Sequence, residues 1–401
     1  MQQFIKMKNS ILPYAWGSHS AIGTLLGLPV PTNEPQAELW MGAHPKAPSQ
    51  VFWQGAWYSL IKLLEKKAKD IIGERGYKIY GHRLPYLFKI LAAKEPLSIQ
   101  AHPDKVQAKA GYARENLSNI PLTARHRNYK DDNHKPECLC ALTPFVVLSG
   151  FRPITEIIRC MKNILPQGFI SLLSPLEGKG DSNGLKIFFY KLMTLSKIKQ
   201  RSLIEQVVSY AETIKNKSIE IKWLIMLHKH YPKDIGVLSP FYLNLVELAP
   251  GQAIFLKAGV LHAYLRGTGI ELMANSDNVL RGGLTEKHVD VEELMRVLRF
   301  ESESIVIQTP VNSGTCQKKF TSPFEEFELS IITVDGGTSY ISEKERGAEI
   351  LLCTEGNIIL TDLCNHTKME FVKGESVLIP ADLYQYRLNG VGMVYKAKGP
   401  V

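Results

Sequence analysis

The sequence predicts a mainly β protein with an α-helical insertion, built from two jelly-roll domains plus a helical domain. Residues 1–151 alternate short apolar runs with Pro and Gly turns, a pattern typical of strands joined by tight turns. Residues 152–234 instead place apolar side chains at helical spacing, and the stretch KIFFYKLMTLSKIKQRSLIEQVV contains neither Pro nor Gly. The strand pattern returns from about residue 235, in PFYLNLVELAPGQAIFLKAGVLHAYL, so the helices read as an insertion.

A short internal repeat supports the two jelly-rolls. The motif G-x5-KAG-x2-H, from Gly251 to His262, recurs 123 residues later as G-x5-PAD-x2-Q, from Gly374 to Gln385. Each copy reads as a turn glycine, a strand, a tight corner and a returning strand. The corner presents a histidine in the first copy and a glutamine in the second, where no His-x-His precedes it. The second jelly-roll is therefore predicted to lack a metal site of its own.

The length of 401 residues, 45% of them hydrophobic, suits two or three domains with sizeable cores. We predict a discontinuous first jelly-roll over residues 1–151 and 235–311. The helical insertion is expected at 152–234, and a C-terminal jelly-roll domain without a metal site at 312–401.

Composition excludes several classes of protein. No apolar run approaches 18 residues and the N-terminus lacks a signal-peptide core, so we expect a cytoplasmic chain without membrane contact. Six cysteines without a CxxC pair are expected to be free thiols. The net charge of +9 is compatible with a nucleic-acid-binding protein. Most of the excess lies in residues 152–234, which hold 14 Lys and Arg against 7 Asp and Glu, but no aromatic residues that could stack on bases are interleaved among these charges. A solvated helical face is the better interpretation, with no nucleic-acid partner.

Three segments carry most of the chemistry. The stretch HAYLRGTGIELMANSDNVLRGGLTEK, from His262 to Lys287, reads as strand and turn but holds an imidazole, carboxylates, an arginine and a lysine. Isolated buried charges are costly, so an element that only packed would not carry so many. The stretches YKDDNHKPE (129–137) and LSIQAHPDK (97–105) are similar in kind. Together they predict one site assembled from three strands.

These segments resemble the signatures of type I phosphomannose isomerases, which are zinc enzymes with cupin domains. The resemblance includes QAELWMGAHPKAPS and LPYLFKILAAKEP, and its spacing holds to about residue 300. Two positions depart from the family pattern: Gly282 stands where Ala is usual and Glu286 where Pro is usual, so the loop after Arg281 is expected to differ.

The resemblance implies an aldose–ketose isomerase that interconverts mannose 6-phosphate and fructose 6-phosphate through a cis-enediol. The substrate partner would be a phosphorylated hexose. The product would supply mannose for GDP-mannose and glycan synthesis, or the enzyme would admit mannose to glycolysis. We expect one Zn²⁺ per chain and a monomer.

The metal ligands are predicted to be Gln100, His102, Glu137 and His262. A strand alternates its faces, so Gln100 and His102 point the same way and can reach one cation together. One carboxylate in the set would leave divalent zinc with net positive charge and room for water or substrate, as a catalytic site requires. The resemblance assigns the same four positions to zinc.

Isomerisation needs an electrophile for the developing oxyanion and a base beside the carbons. Arg281 matches the position of the family's active-site arginine, and its planar guanidinium can hydrogen-bond two oxygens at once. The alternative is that Arg281 is a structural residue that forms an ion pair with Asp277. The base stays open among Lys135, Glu271 and Asp277. Each has the alternative role of orienting a histidine or an arginine.

Substrate-binding candidates lie in the same segments. Phosphate needs cationic or hydroxyl donors, which Ser98, Lys89 or a shared Arg281 would supply. Trp16 and Glu38 match family positions that line the site, although either side chain would also serve to pack or to hold a loop.

Two other functions compete with the isomerase. A metal-dependent cupin oxygenase favours two histidines and one carboxylate with open positions for O₂, whereas Gln100 takes an extra position here. A sugar-phosphate-binding regulatory protein needs no base and no Arg281. The bifunctional type II isomerase is disfavoured because no nucleotide-transferase signature precedes the cupin.

Overall fold

The computed structural model describes residues 4–302 and 304–400. Its strands are β1 (Ile5–Lys8), β2 (Ser10–Leu12), β3 (Glu38–Met41), β4 (Gln50–Trp53), β5 (Ala56–Ser59), β6 (Tyr86–Ala93), β7 (Ile99–Ala101), β8 (Glu137–Ala141), β9 (Phe145–Phe151), β10 (Leu243–Leu248), β11 (Ala253–Leu256), β12 (His262–Ala274), β13 (Leu280–Gly283), β14 (Val311–Asn312), β15 (Gln317–Lys319), β16 (Glu328–Asp335), β17 (Tyr340–Ile341), β18 (Glu349–Asp362), β19 (Lys368–Val372), β20 (Ser376–Ile379) and β21 (Tyr386–Lys398).

The helices are α1 (Ala21–Leu25), α2 (Leu60–Tyr80), α3 (Lys105–Leu117), α4 (Ile154–Lys162), α5 (Ser174–Lys179), α6 (Ser182–Met193), α7 (Lys197–Thr213), α8 (Ile219–His230), α9 (Ser239–Tyr242) and α10 (Val291–Val297). Two 3₁₀ helices span Gln167–Leu173 and Ile235–Leu238. Across the described residues, none of these helices has the length and apolar character that crossing a bilayer requires.

The strands form two antiparallel sheets. The first has the order β10-β9-β12-β6-β3-β2, with β7, β8, β11 and β13 attached around β12. The second has the order β14-β15-β16-β21-β18-β20-β1-β4-β5, with β17 and β19 attached at β21 and β18. The predicted fold class, mainly β with a helical insertion, is confirmed.

The helical insertion leaves and re-enters one sheet at adjacent strands. β9 and β10 pair antiparallel, from Phe145 opposite Leu248 to Phe151 opposite Leu243. The chain therefore departs after Phe151 and returns as the neighbouring strand, and the helices between them pack on the sheet through a shared apolar core. The last short helix runs to Tyr242, beyond the predicted limit at 234.

The N-terminal segment contributes to both sheets. β1 pairs with β20, Ile5 lying opposite Leu378, and also with β4, Met7 lying opposite Val51. The residues of β1, β4 and β5 thus extend the sheet formed by C-terminal strands, although the sequence pattern groups 1–151 with the first jelly-roll. The domain limits stay a prediction.

The internal repeat has the same form in both jelly-rolls. Gly251 and Gly374 adopt positive φ angles of 83° and 88°, a conformation that favours glycine. Each precedes a four-residue strand, a corner and a 13-residue strand. His262 begins the long strand of the first copy, whereas Gln385 in the second donates its amide to the carbonyl of Ser342 at 2.8 Å.

A buried charged cluster lies within the second jelly-roll. Glu349 is 3.4 Å from the ammonium of Lys396 and 3.7 Å from the guanidinium of Arg346, and it accepts a hydrogen bond from Tyr386 at 2.8 Å. Lys396 also donates to the hydroxyl of Tyr340 at 2.7 Å. The two cations around one carboxylate oppose the binding of a divalent metal there.

Candidate active site and metal centre

Three strongly buried side chains meet at one point of the first sheet. His102 follows β7, Glu137 begins β8 and His262 begins β12, and none is more than 1% exposed. One ligand atom from each lies within 4.8 Å of the others. The structure therefore brings together three of the four predicted metal ligands.

The two imidazoles are oriented by backbone carbonyls. Nδ1 of His102 lies 2.7 Å from the Asn278 carbonyl, and Nδ1 of His262 lies 3.0 Å from the Val260 carbonyl. A carbonyl only accepts, so each Nδ1 carries the proton and each Nε2 is left as an acceptor. These Nε2 atoms face Glu137 at 3.1 and 3.4 Å, and they have no hydrogen-bond donor among the described residues. Buried acceptors that face one another in this way fit a shared cation.

The charge states also suit zinc. Burial, reinforced by the charge of Lys135, lowers the pKa of His102 to about 4, so this imidazole is neutral. Burial alone would raise the pKa of Glu137, but the Lys135 ammonium at 2.7 Å outweighs it and holds that pKa well below its usual value. Neutral imidazoles and an ionised carboxylate are the forms that bind Zn²⁺.

The fourth predicted ligand, Gln100, connects the metal centre to Arg281. In the antiparallel pairing Gln100 lies opposite His262 on one side and opposite Arg281 on the other. Its side chain lines the cleft beside the centre. The register supports the prediction that Gln100 is a ligand, and this role stays a prediction.

A cleft of about 1200 Å³ opens beside the metal centre. Seven Lys and Arg line it against four Asp and Glu, so the surface is positively charged, as a phosphate ester requires. It brings together all eight predicted catalytic and substrate-binding residues: Trp16, Glu38, Lys89, Ser98, Lys135, Glu271, Asp277 and Arg281. Their individual roles stay predictions.

Lys89 is held between two carboxylates. Its ammonium lies 2.8 Å from Glu271 and 3.8 Å from Glu38, which in turn accepts the indole N–H of Trp40 at 2.7 Å. Burial lowers the pKa of Lys89, but Glu271 and Glu38 outweigh it and raise that pKa above its usual value. Burial raises the pKa of Glu271, and Lys89 opposes this. The Lys89 ammonium therefore stays protonated, and its positive charge is already balanced by the two carboxylates.

Arg281 is different, because its guanidinium has no hydrogen bond or ion pair with any described residue. The alternative pairing with Asp277 is absent there, since the Asp277 carboxylate instead faces His44 at 3.4 Å. Burial lowers the pKa of Arg281, and the Arg281 charge contributes to the lowered pKa values of Lys130 and Lys287. The cleft thus contains positive charge that the protein does not neutralise.

Sequence reasoning assigned no role to four residues of this region. Lys46, Lys130 and Lys287 line the cleft, and His44 lies buried behind Asp277. All four belong to the segments that carry the family resemblance, so the sequence contained a signal that could have identified them as site residues. What the segments did not show was which lysines point into the cleft.

The loop after Arg281 is anchored to the end of the helical insertion. Asp234 accepts the backbone N–H of Gly236 at 2.7 Å and that of Thr285 at 3.2 Å. Leu284, at a φ of 52°, is buried beneath the loop. The position of Lys287 at the cleft therefore depends on the helical segment.

Comparison with known proteins agrees with this geometry. The family models "Phosphomannose isomerase type I, catalytic domain" and "Mannose-6-phosphate isomerase, cupin domain" match residues 4–154 and 317–396. Mannose-6-phosphate isomerase of Escherichia coli (strain K12) is 37% identical over 390 residues, covering 96% of this chain and 97% of the relative. The human enzyme of that name is 32% identical over 400 residues, covering 93% and 92%.

The solved structures lead to the same family. A zinc-bound mannose 6-phosphate isomerase matches with a TM-score of 0.91 and 35% identity, covering 100% of both chains. A mutant of phosphomannose isomerase from Salmonella typhimurium matches with a TM-score of 0.91 and 34% identity over 100% of both chains. Sequence relatives and fold agree over nearly the whole length, and the two matched family models agree with them, so the chain belongs to the type I phosphomannose isomerase family.

Proposed function

We propose that this protein is a zinc-dependent aldose–ketose isomerase that interconverts D-mannose 6-phosphate and D-fructose 6-phosphate. The observation that carries the proposal is the buried group of His102, Glu137 and His262 beside a cationic cleft, in which neither histidine Nε2 has a hydrogen-bond donor among the described residues. These residues and Gln100 would hold the zinc. When bound, zinc supplies a Lewis acid that polarises a substrate oxygen.

Asp277 is the best-supported base of the three candidates. Lys135 is ion-paired with Glu137 at 2.7 Å, and Glu271 is ion-paired with Lys89 at 2.8 Å. The Asp277 carboxylate lines the cleft, has 45% of its side chain exposed and has no lysine or arginine within ion-pair distance among the described residues. A carboxylate without a permanent cation at its oxygens is the freest to accept a proton.

In the proposed reaction Asp277 removes the proton from C2 of the open-chain aldose and returns it to C1. Between these steps the sugar is a cis-enediol: O1 gains a proton as the enediol forms, and O2 gives up its proton as the enediol becomes the ketose, so the oxygen protons balance. Arg281, without an anionic partner in the described structure, stabilises the oxygen that gains negative charge. The carboxylate is regenerated, so the reaction needs no further reactant.

The phosphate group would bind near Lys287. Its ammonium lines the cleft, and neither a hydrogen bond nor an ion pair engages it among the described residues. Lys89, by contrast, is already neutralised by two carboxylates. Ser98 lines the same cleft and offers a hydroxyl donor.

The cellular role follows from the substrate. Hexose phosphates are charged and do not cross membranes, so we propose a cytoplasmic enzyme. Its product would supply GDP-mannose and glycan synthesis, or mannose would enter glycolysis through it. We further propose a monomer without a nucleic-acid partner, which size-exclusion chromatography with light scattering would check.

The function is tested by a coupled assay that detects fructose 6-phosphate formed from mannose 6-phosphate. We expect turnover by the zinc-loaded protein, loss of turnover after chelation and recovery when zinc is restored. Unphosphorylated mannose is the control and should react poorly. Turnover that consumes O₂ would instead indicate an oxygenase, and binding without turnover would indicate a regulatory protein.

Arg281→Lys is expected to lower kcat about 10²-fold, with KM changed modestly. Lysine keeps the charge but loses the fork that can hold two oxygens. The matched control is Arg266→Lys, at an exposed arginine of β12 that lies outside the cleft. If KM rises by that factor while kcat is intact, Arg281 binds phosphate and does not stabilise the oxyanion.

A further inference from the structure

His44 lies behind the proposed base, and the mechanism above gives it no role. It is 4% exposed and sits in the turn that follows β3. Its Nε2 lies 3.4 Å from Oδ2 of Asp277, so two residues that are far apart in the sequence are in contact here. This contact is the only ion pair or side-chain hydrogen bond of the Asp277 carboxylate with the described residues.

The ring orientation of His44 is fixed. The backbone N–H of Lys46 donates to Nδ1 at 3.2 Å, so the proton of a neutral ring resides on Nε2 and points to Asp277. The indole of Trp40 packs against the ring edge-on, with centroids 4.9 Å apart. Trp40 is in turn anchored by its hydrogen bond to Glu38. His44 therefore presents a donor in a defined direction.

The charged groups around His44 favour its neutral form. Burial lowers the pKa of His44, which Asp277 opposes, while Lys89, Lys46 and Lys135 each lower it further. These groups face the ring from β6, from its own turn, from the segment before β8 and from the loop between β12 and β13. The neutral ring thus presents its Nε2–H to Asp277 without adding a positive charge.

The backbone of Asp277 is held from the opposite side. Its N–H donates to Oδ2 of Asp131 at 2.8 Å, and Asp131 also accepts the hydroxyl of Ser276 at 2.8 Å. The backbone position of the carboxylate is therefore set by Asp131. Among the described residues, His44 alone makes an ion pair or side-chain hydrogen bond with the carboxylate itself.

We propose that His44 is a positioning residue for the proposed base: its Nε2–H binds Oδ2 of Asp277 and leaves Oδ1 directed at the sugar carbons. This inference rests on the proposed function, in which Asp277 moves the proton. His44 does not exchange a proton in the reaction. A base held at a fixed angle reacts faster than one that rotates, because fewer orientations are unproductive.

Two amide substitutions separate this role from simple packing. The amide nitrogen of glutamine replaces Nε2, so His44→Gln should keep kcat within about 3-fold. The shorter asparagine cannot reach Asp277, so His44→Asn should lower kcat about 10-fold with KM and zinc content retained. His82→Asn is the control, because His82 is an exposed histidine that contacts Tyr77 outside the cleft. Equal kcat for the two amide variants would overturn the proposal.

A double-mutant cycle tests whether His44 acts through Asp277. In an Asp277→Asn background, adding His44→Asn should cause no further loss of kcat, because the base that His44 positions is already gone. Additive losses would overturn the role of His44 while leaving the proposed base intact. If Asp277→Asn alone leaves kcat unchanged, the assignment of the base and the role of His44 both fail.

Discussion

His262→Ala is expected to abolish metal binding and isomerisation together. The Nε2 of His262 is a buried acceptor that shares one site with His102 and Glu137, and its Nδ1 is held by the Val260 carbonyl. Removing one of the few protein ligands of a catalytic zinc site leaves the ion without its coordination geometry. Elemental analysis should find about one zinc per wild-type chain and none in the variant.

The zinc content of the His262→Ala variant also tests whether the second jelly-roll binds a metal. That domain has Gln385 where the first has a metal-binding histidine, and two buried cations surround Glu349. A variant free of zinc therefore also excludes a tight site there. His228→Ala, on α8 outside the cleft, is the control and should keep both zinc and activity. A fully active, metal-free preparation of the wild-type protein would contradict the proposed centre.

Asp277→Asn is expected to lower kcat by about 10²- to 10⁴-fold, the usual range for loss of a general base. Asparagine has nearly the same shape and can keep the contact with His44, but it cannot take a proton from carbon. Zinc content and KM should change little, because Asp277 belongs neither to the metal group nor to the cationic side of the cleft.

Variants at three other residues of this protein serve as comparisons for Asp277→Asn. Asp132→Asn, at an exposed aspartate in the loop that contains Asp131, should leave kcat unchanged. Glu271→Gln and Lys135→Met report on the two other candidates for the base. If Asp277→Asn retains kcat within a few fold while one of these two loses it, that residue is the base.

The sequence determined the fold class, the family resemblance and the segments that form the site. The change from strand spacing to helical spacing at residue 152 is local, so it is visible without any contact. The corner motif ending at His262 is likewise a short pattern, and the turn glycine at its start has the positive φ that the pattern implies. Strand spacing put Gln100 and His102 on one face, whereas the full set of four proposed ligands depended on the family resemblance.

Other features were decided by the tertiary structure alone. The pairing of β1 with β20 depends on backbone hydrogen bonds between the two ends of the chain, which leave no local sequence pattern. The proposed choice among the candidate bases rests on which of them a lysine reaches: Glu271 lies 2.8 Å from Lys89, whereas Asp277 faces His44. Charge interactions weaken with distance and with solvent, and neither quantity is encoded by spacing along the chain. The sequence thus determined which groups are present, and the fold decided which of them remain free to react.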